Sequence, residues 1–352
     1  MKKTLFLLTM LPAALVLAQT DIMPRPPRRP DTRDPLIRLM RDTRIGEPCH
    51  SKNMIVYPLF TADCAHGGCL TLDEALARKA LRITEKGEGN VPELLVENTS
   101  DSPIFLLAGE IVTGGKQNRV ISQDLLLAPH SGPISLGVFC VERGRWTAQS
   151  KYFGAEKELA HNQLRQQLNN PANTQGHVWA EVARKSAAIA PAAAASTTYL
   201  GAAFDDVKVK RGMEEYAKPI TLPPTANGMA VVIGGRVAGV EIFGDRETFA
   251  RLRDKLLRSY AVDAMEYVAD EKAAPDAGLV EAFVRRVQNA RLVAKQSVGI
   301  GRLFGIEGGG LYGAVLTWHE QPAAHGVVHT SLFEETASPS PKPLPVPRPL
   351  LR

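Results

Sequence analysis

Short apolar runs bounded by turn residues fill the first part of the chain, and helical spacing takes over further along. NMIVYPLF, ALRIT and PELLVEN predict strands, with LTLDEALARK as a helical turn or short helix between the first two. The polar cluster from Asn98 to Pro103 separates two apolar runs and predicts a hairpin. NRVISQDLLLAP and GPISLGVFCVE follow as strands joined around His130, Ser131 and Gly132. They are expected to complete one contiguous antiparallel region resembling a β-sandwich or a small barrel.

From Glu156 the pattern changes. EKELAHNQLRQQLNN and HVWAEVARKSAAIA carry helical spacing, PAAAASTT is compatible with helix or loop, and FDDVKVKRGMEEYAKPI predicts an amphipathic helix despite Gly212. MAVVIGGRVAGVEIF reads as two strands around a Gly-Gly turn. ETFARLRDKLLRSYAVDAMEY is helical, with Phe249, Leu252, Leu256, Leu257 and Tyr260 on one face and Asp263 as a cap or turn residue. LVEAFVRRVQNARL predicts another helix, IEGGGLYGAVLTWHE a glycine-led strand, and GVVHTSLF a last strand. The fold class is therefore α+β, with helices packed beside the sheet.

The ends differ from this body. Lys2 and Lys3, the apolar Leu5 to Leu17, and Val16 with Ala18 ahead of Gln19 predict a signal peptide over 1–18, and hence a periplasmic or secreted protein. Residues 19–45 read as a Pro/Arg-rich linker and 338–352 as a Pro-rich tail, neither expected to pack. Between them lies one domain over 46–337, divisible into a β-rich 46–150 and a mixed 151–337. The formal charge of +5 is concentrated in the leader, linker and tail, which leaves the folded part about three charges negative. That balance argues against nucleic-acid binding, and beyond the leader no run is long enough to insert stably in a membrane.

Candidate chemistry gathers between Leu106 and Trp146. Gly114 and Gly115 allow close backbone approach; Lys116, Gln117, Asn118, Arg119 and Arg145 supply donors for an anionic or polyhydroxyl small molecule; Trp146 offers a stacking face. Glu110 and Glu142 either orient such a ligand or serve as general acid and general base of a hydrolase. A third reading makes the same residues ion pairs that pin strand ends, in a structural or protein-interaction module.

Four cysteines in an exported chain predict disulfides, with bridging expected within Cys49, Cys64 and Cys69, and Cys140 a buried thiol. No metal is expected, since His50, Cys64, His66 and Cys69 match no zinc spacing, and His319, His325 and His329 read as surface or sheet histidines. No cofactor is implied either. IEGGGLYG lacks the lysine of a phosphate loop, VVIGGRVAG is followed by an extended run in place of a helix, and Trp179 reads as core.

ELLVENTSDSPIFLLAGEIVTGGKQNRVISQD, then VFCVERGRW, then QGHVWAEV, resemble the ARG and Rhodanese-Phosphatase-superfamily-associated protein domain, ARG being ADP-ribosylglycohydrolase. The resemblance covers most of the chain and is densest at GGKQNR and CVERGRW. It implies a setting of ADP-ribose, nucleotide or phosphate chemistry, in a family without an established activity.

Overall fold

Three antiparallel sheets and the helices between them make up the computed structural model, which describes residues 34–62, 68–170, 172–267, 276–318 and 326–335. The leader over 1–18, the tail over 338–352, and Cys64, His66, His319 and His325 lie outside the described residues.

The largest sheet has nine strands. Across it run Arg44–Ile45, Met54–Phe60, Gly228–Ile233, Arg236–Phe243, Val327–Glu334, Leu311–Trp318, Gly301–Gly308 and Arg291–Ala294, with Cys49–Ser51 also paired to Met54–Phe60. Side-chain alternation covers both of its faces. Met54, Val56, Met229 and Val231 point into one core with Phe249, Leu252 and Leu256 of the helix Arg246–Glu266. Ile55, Tyr57, Ala230 and Val232 point into another with Leu36, Leu39 and Met40 of the helix Asp34–Asp42 and Val280 and Phe283 of the helix Ala277–Arg285. Two covered faces explain why NMIVYPLF is apolar throughout and does not alternate.

The second sheet has six strands, in the order Gly154–Leu159, Glu110–Thr113, Arg119–Ile121, Ile134–Cys140, Glu93–Asn98 and Leu81–Asn90, and Ile104–Leu106 pairs separately with Leu125–Leu127. The architecture is α+β, with sheet curled into a half-barrel. Several local expectations hold. Thr71 and Glu74 form a capping box ahead of the helix Leu72–Ala77. Gly234 and Gly235, both at positive φ, turn the hairpin between Gly228–Ile233 and Arg236–Phe243. IEGGGLYG is a second such turn, between Gly301–Gly308 and Leu311–Trp318.

Four expectations change. The hairpin over Asn98–Pro103 does not form, because its flanking strands enter different sheets. Asn98 ties the crossing, its Nδ2 donating to the carbonyls of Ser102 and Ala128, each at 2.8 Å. NRVISQDLLLAP likewise breaks at Ser122–Asp124 and serves two sheets. EKEL is the edge strand Gly154–Leu159, and the helix begins only at Asn162, capped by His161, whose ring nitrogen accepts from the Leu164 amide. The linker over 19–45 packs in part, since Leu36, Leu39 and Met40 fall at helical spacing and bury one face of Asp34–Asp42.

The sheets also disregard the division at residue 150: Met54–Phe60, from the β-rich part, pairs with Gly228–Ile233 from the mixed part. No helix among the described residues is long and apolar enough to cross a membrane.

Candidate functional site

The strands Glu110–Thr113 and Arg119–Ile121 pair through Ile111–Val120 and Val112–Arg119, so GGKQN is the turn between them. Gly114 and Gly115 take φ of 129° and 49°, conformations that favour glycine. A Cβ on Gly115 would stand 2.2 Å from the Phe153 ring and 2.6 Å from Glu85 Oε1, so the turn is also packed too closely for a side chain. Asn118 closes it, its Oδ1 accepting from the Gly114 amide at 2.9 Å.

Arg119–Ile121 also pairs with Ile134–Cys140, placing Arg119 opposite Cys140 and bringing CVERGRW beside GGKQNR. The two motifs are then laced together. Asn118 N–H donates to Glu142 Oε2 at 3.1 Å, Gln117 Nε2 to the Glu142 carbonyl at 3.1 Å, and Val141 N–H to the Asn118 carbonyl at 3.1 Å. Arg145 reaches back across the turn. Its Nη1 donates to the Gly115 carbonyl at 2.9 Å, and its Nη2 donates to Asn118 Oδ1 at 3.1 Å and meets Glu142 Oε2 at 2.6 Å. Gly114, Gly115, Lys116, Gln117, Asn118, Arg119, Glu142, Arg145 and Trp146 thus form one cluster.

Within it Arg119 stands apart. Its side chain is fully buried, yet only Nη1 has an acceptor, Gln117 Oε1 at 3.1 Å; Nε and Nη2 have none. Burial pulls its pKa down, but a guanidinium does not give up its proton at physiological pH. Arg145 Nε and Glu85 Oε2 are likewise buried without partners. The Trp146 ring, 45% exposed, lies 5.8 Å from the Arg119 guanidinium and 5.4 Å from Lys116 Nζ, which donates to the Glu88 carbonyl. The arrangement is a largely cationic cluster with unmet buried donors and one unmet acceptor, beside the half-exposed face of Trp146.

Glu110 belongs elsewhere. It is 1% exposed, its Oε2 accepts from the Leu107 amide at 3.0 Å, and Lys255 Nζ lies 3.5 Å from Oε1 while pairing with Asp73 at 2.6 Å. Burial raises its pKa to about 7 against the pull of Lys255. Glu110 and Glu142, expected to work together if the protein is a hydrolase, share no partner.

The expected bridging among Cys49, Cys64 and Cys69 is not seen among the described residues, whereas Cys140 is the buried thiol expected. Cys49 and Cys69 are free thiols, so no bridge joins them, and Cys140 is free and fully buried. Burial pushes both the Cys69 and the Cys140 thiols up, Cys69 to about 11. Cys140 accepts the Glu142 amide at 3.4 Å and donates to the Glu142 carbonyl at 3.2 Å, which helps set the path of CVERGRW.

Sequence reasoning missed a buried charge network. Asp263 is no cap: it lies within Arg246–Glu266, 2.7 Å from Lys185 and 3.3 Å from His161. Lys255, Ser259 and Asp263 form a polar stripe at i, i+4, i+8 that faces inward beside the apolar one. His329 is a sheet residue but not a surface one. Its Nδ1 meets Asp124 Oδ2 at 2.6 Å and its Nε2 meets Glu241 Oε2 at 3.0 Å, while Glu241 Oε1 pairs with Arg165 at 2.7 Å and accepts from Tyr260 at 2.9 Å. The polar spacing was visible in sequence, but it looks the same on a solvated face. Trp179 is buried, as read.

An open cavity of about 190 Å³ shares no lining residue with the cluster. Its charges are largely satisfied: Lys210 pairs with Asp205 and Arg258 with Glu158, both at 2.7 Å, and Glu156 accepts from Tyr199 at 2.6 Å. The unmet donors of Arg119 and Arg145 lie outside this cavity.

Neither the curated proteins nor the solved structures contain a match to this chain. A family model does match, over residues 42–333, nearly all of the described region and both motifs that build the cluster. The chain belongs to the family of the ARG and Rhodanese-Phosphatase-superfamily-associated Protein domain.

Proposed function

We propose that this is an exported recognition domain whose Arg119 recess takes the oxyanion of a small anionic or sugar- or nucleotide-containing molecule. One observation carries the reading: a fully buried guanidinium with Nε and Nη2 unpaired. A buried charge with unmet hydrogen bonds costs several kcal/mol, and a ligand oxyanion accepting from both N–H groups offsets that cost with charge-assisted bonds. Lys116 adds charge at the rim, the Gly114–Gly115 turn and Asn118 keep the recess in shape, and Trp146 covers it. Binding is favoured over hydrolysis because Glu110 and Glu142 are engaged in different places, by Lys255 and by Arg145. Export is supported by the Lys2–Lys3, apolar and small-residue pattern of the leader.

The test is a thermal-shift titration of the full mature chain with methyl phosphate and with acetate. A saturable rise for at least one of them is expected, reaching about 2.7 kcal/mol of stabilisation at a hundredfold excess over Kd. Arg119→Met should abolish it. No saturable response, or an equal one in Arg119→Met, defeats the proposal. Incubation with a metabolite mixture separates recognition from turnover, since loss of a compound would mark an enzyme. Mass spectrometry of the protein recovered from its native host tests export, with Gln19 expected as the first residue.

A further inference from the structure

Glu85 lies outside both motifs, on the strand Leu81–Asn90, yet it reaches the same cluster. Its Oε1 accepts the Lys116 amide at 2.7 Å, which fixes the carboxylate against the glycine turn. Its Oε2 is buried with no partner, and its charge acts on the Arg119 guanidinium. The cluster therefore holds two complementary deficits: N–H groups on Arg119 and Arg145 that lack acceptors, and a carboxylate oxygen that lacks a donor. A bare inorganic anion answers only the first. A carboxylate lone pair in that setting is met by a hydroxyl, and Trp146 supplies a flat apolar face above, the surface on which the C–H side of a sugar ring packs.

We infer that the recess recognises a phosphorylated sugar, with the phosphate on Arg119, a ring hydroxyl donating to Glu85 Oε2, and the ring against Trp146. This rests on the oxyanion reading above and adds a specificity-determining residue to it. Glu85 excludes a second anionic group at its end of the recess by like-charge repulsion and selects ligands that carry a donor there.

Titration calorimetry with methyl phosphate, ribose 5-phosphate and AMP, on the wild-type chain and on Glu85→Gln, tests this. AMP separates a free sugar phosphate from a nucleotide source. The amide keeps an Oε1 acceptor for Lys116 and replaces only the unpaired oxygen, so the turn is retained; melting curves check that it is. Ribose 5-phosphate, AMP or both should bind wild type about tenfold or more tightly than methyl phosphate, the ordinary worth of a hydrogen bond to a charged group. That preference should vanish in Glu85→Gln while methyl phosphate affinity is kept or improved. If methyl phosphate binds and the sugar phosphates bind no better, or if Glu85→Gln keeps the preference, the sugar assignment falls and the oxyanion site stands. If none of the three binds, the phosphorylated-sugar assignment falls, and the oxyanion site stands only if acetate binds and Arg119→Met abolishes that binding.

Discussion

Replacing Arg119 with methionine should change the stability of the unliganded protein by no more than about 2 kcal/mol, although it deletes a fully buried charged side chain. Two terms oppose one another. The variant loses one hydrogen bond to Gln117, about 1.5–3 kcal/mol for a charged donor, and the contact with Trp146, about 0.5–1 kcal/mol. It is relieved of desolvating a guanidinium with two unpaired N–H positions, a cost of several kcal/mol even after relaxation. Methionine fills much of the same volume without a charge. The variant also loses the attraction of Glu85 and Glu142 for the guanidinium, so the balance lies within about 2 kcal/mol in either direction. Urea denaturation read by tryptophan fluorescence and by far-ultraviolet circular dichroism measures it, with unchanged slope as the check on two-state unfolding. A loss above about 3 kcal/mol would refute the reasoning, because that is the signature of breaking a compensated buried charge.

Other outcomes follow from the interior. Burial opposes charge at His329, but Asp124 and Glu241 outweigh it and raise the imidazole to about 9, while Arg165 and His329 likewise overcome burial and hold Glu241 at about 2. The His329 contribution is full below its unfolded value near 6.5 and is lost as pH rises towards 9; that of Glu241 is full above about 4.5 and is lost as pH falls towards 2. Stability should thus fall by up to about 3 kcal/mol between about pH 6 and about pH 9. Urea titrations of wild type and His329→Gln check this, and an identical slope in the variant would clear His329 of the effect. Gly115→Ala should destabilise the protein by more than about 1 kcal/mol, read as a lowered melting temperature, since both φ and the Phe153 ring oppose a Cβ. Gly212→Ala should cost less, because its obstacle is the flexible end of Met265 and the site is helical. A thiol reagent should modify Cys49 ahead of the buried Cys69 and Cys140, and all three after denaturation; protection of Cys49 or Cys69 in unfolded, unreduced protein would show a bridge.

Local chemistry was legible without coordinates. The Gly234–Gly235 hairpin, the helix Arg246–Glu266 with its apolar face, and GGKQNR as a strand-end turn all depend on neighbours a few residues apart. Residues of GGKQNR and CVERGRW were grouped as one candidate chemistry from sequence, and the Arg119–Cys140 register is what brings the two motifs together. Glu85 was missed because a lone acid in LRITEKGEGN reads as strand surface until the glycine turn is folded against it.

The chain by itself determined its element types, its turns and the composition of its polar cluster, since backbone sterics and side-chain periodicity act over short stretches. Only tertiary structure decided that Met54–Phe60 pairs with Gly228–Ile233, that Asn98–Pro103 crosses between sheets, and that Lys185 and Asp263 are interior. Those outcomes depend on what packs over each face. A charged stripe written identically in sequence is solvated where nothing covers it and must find a partner where a helix does.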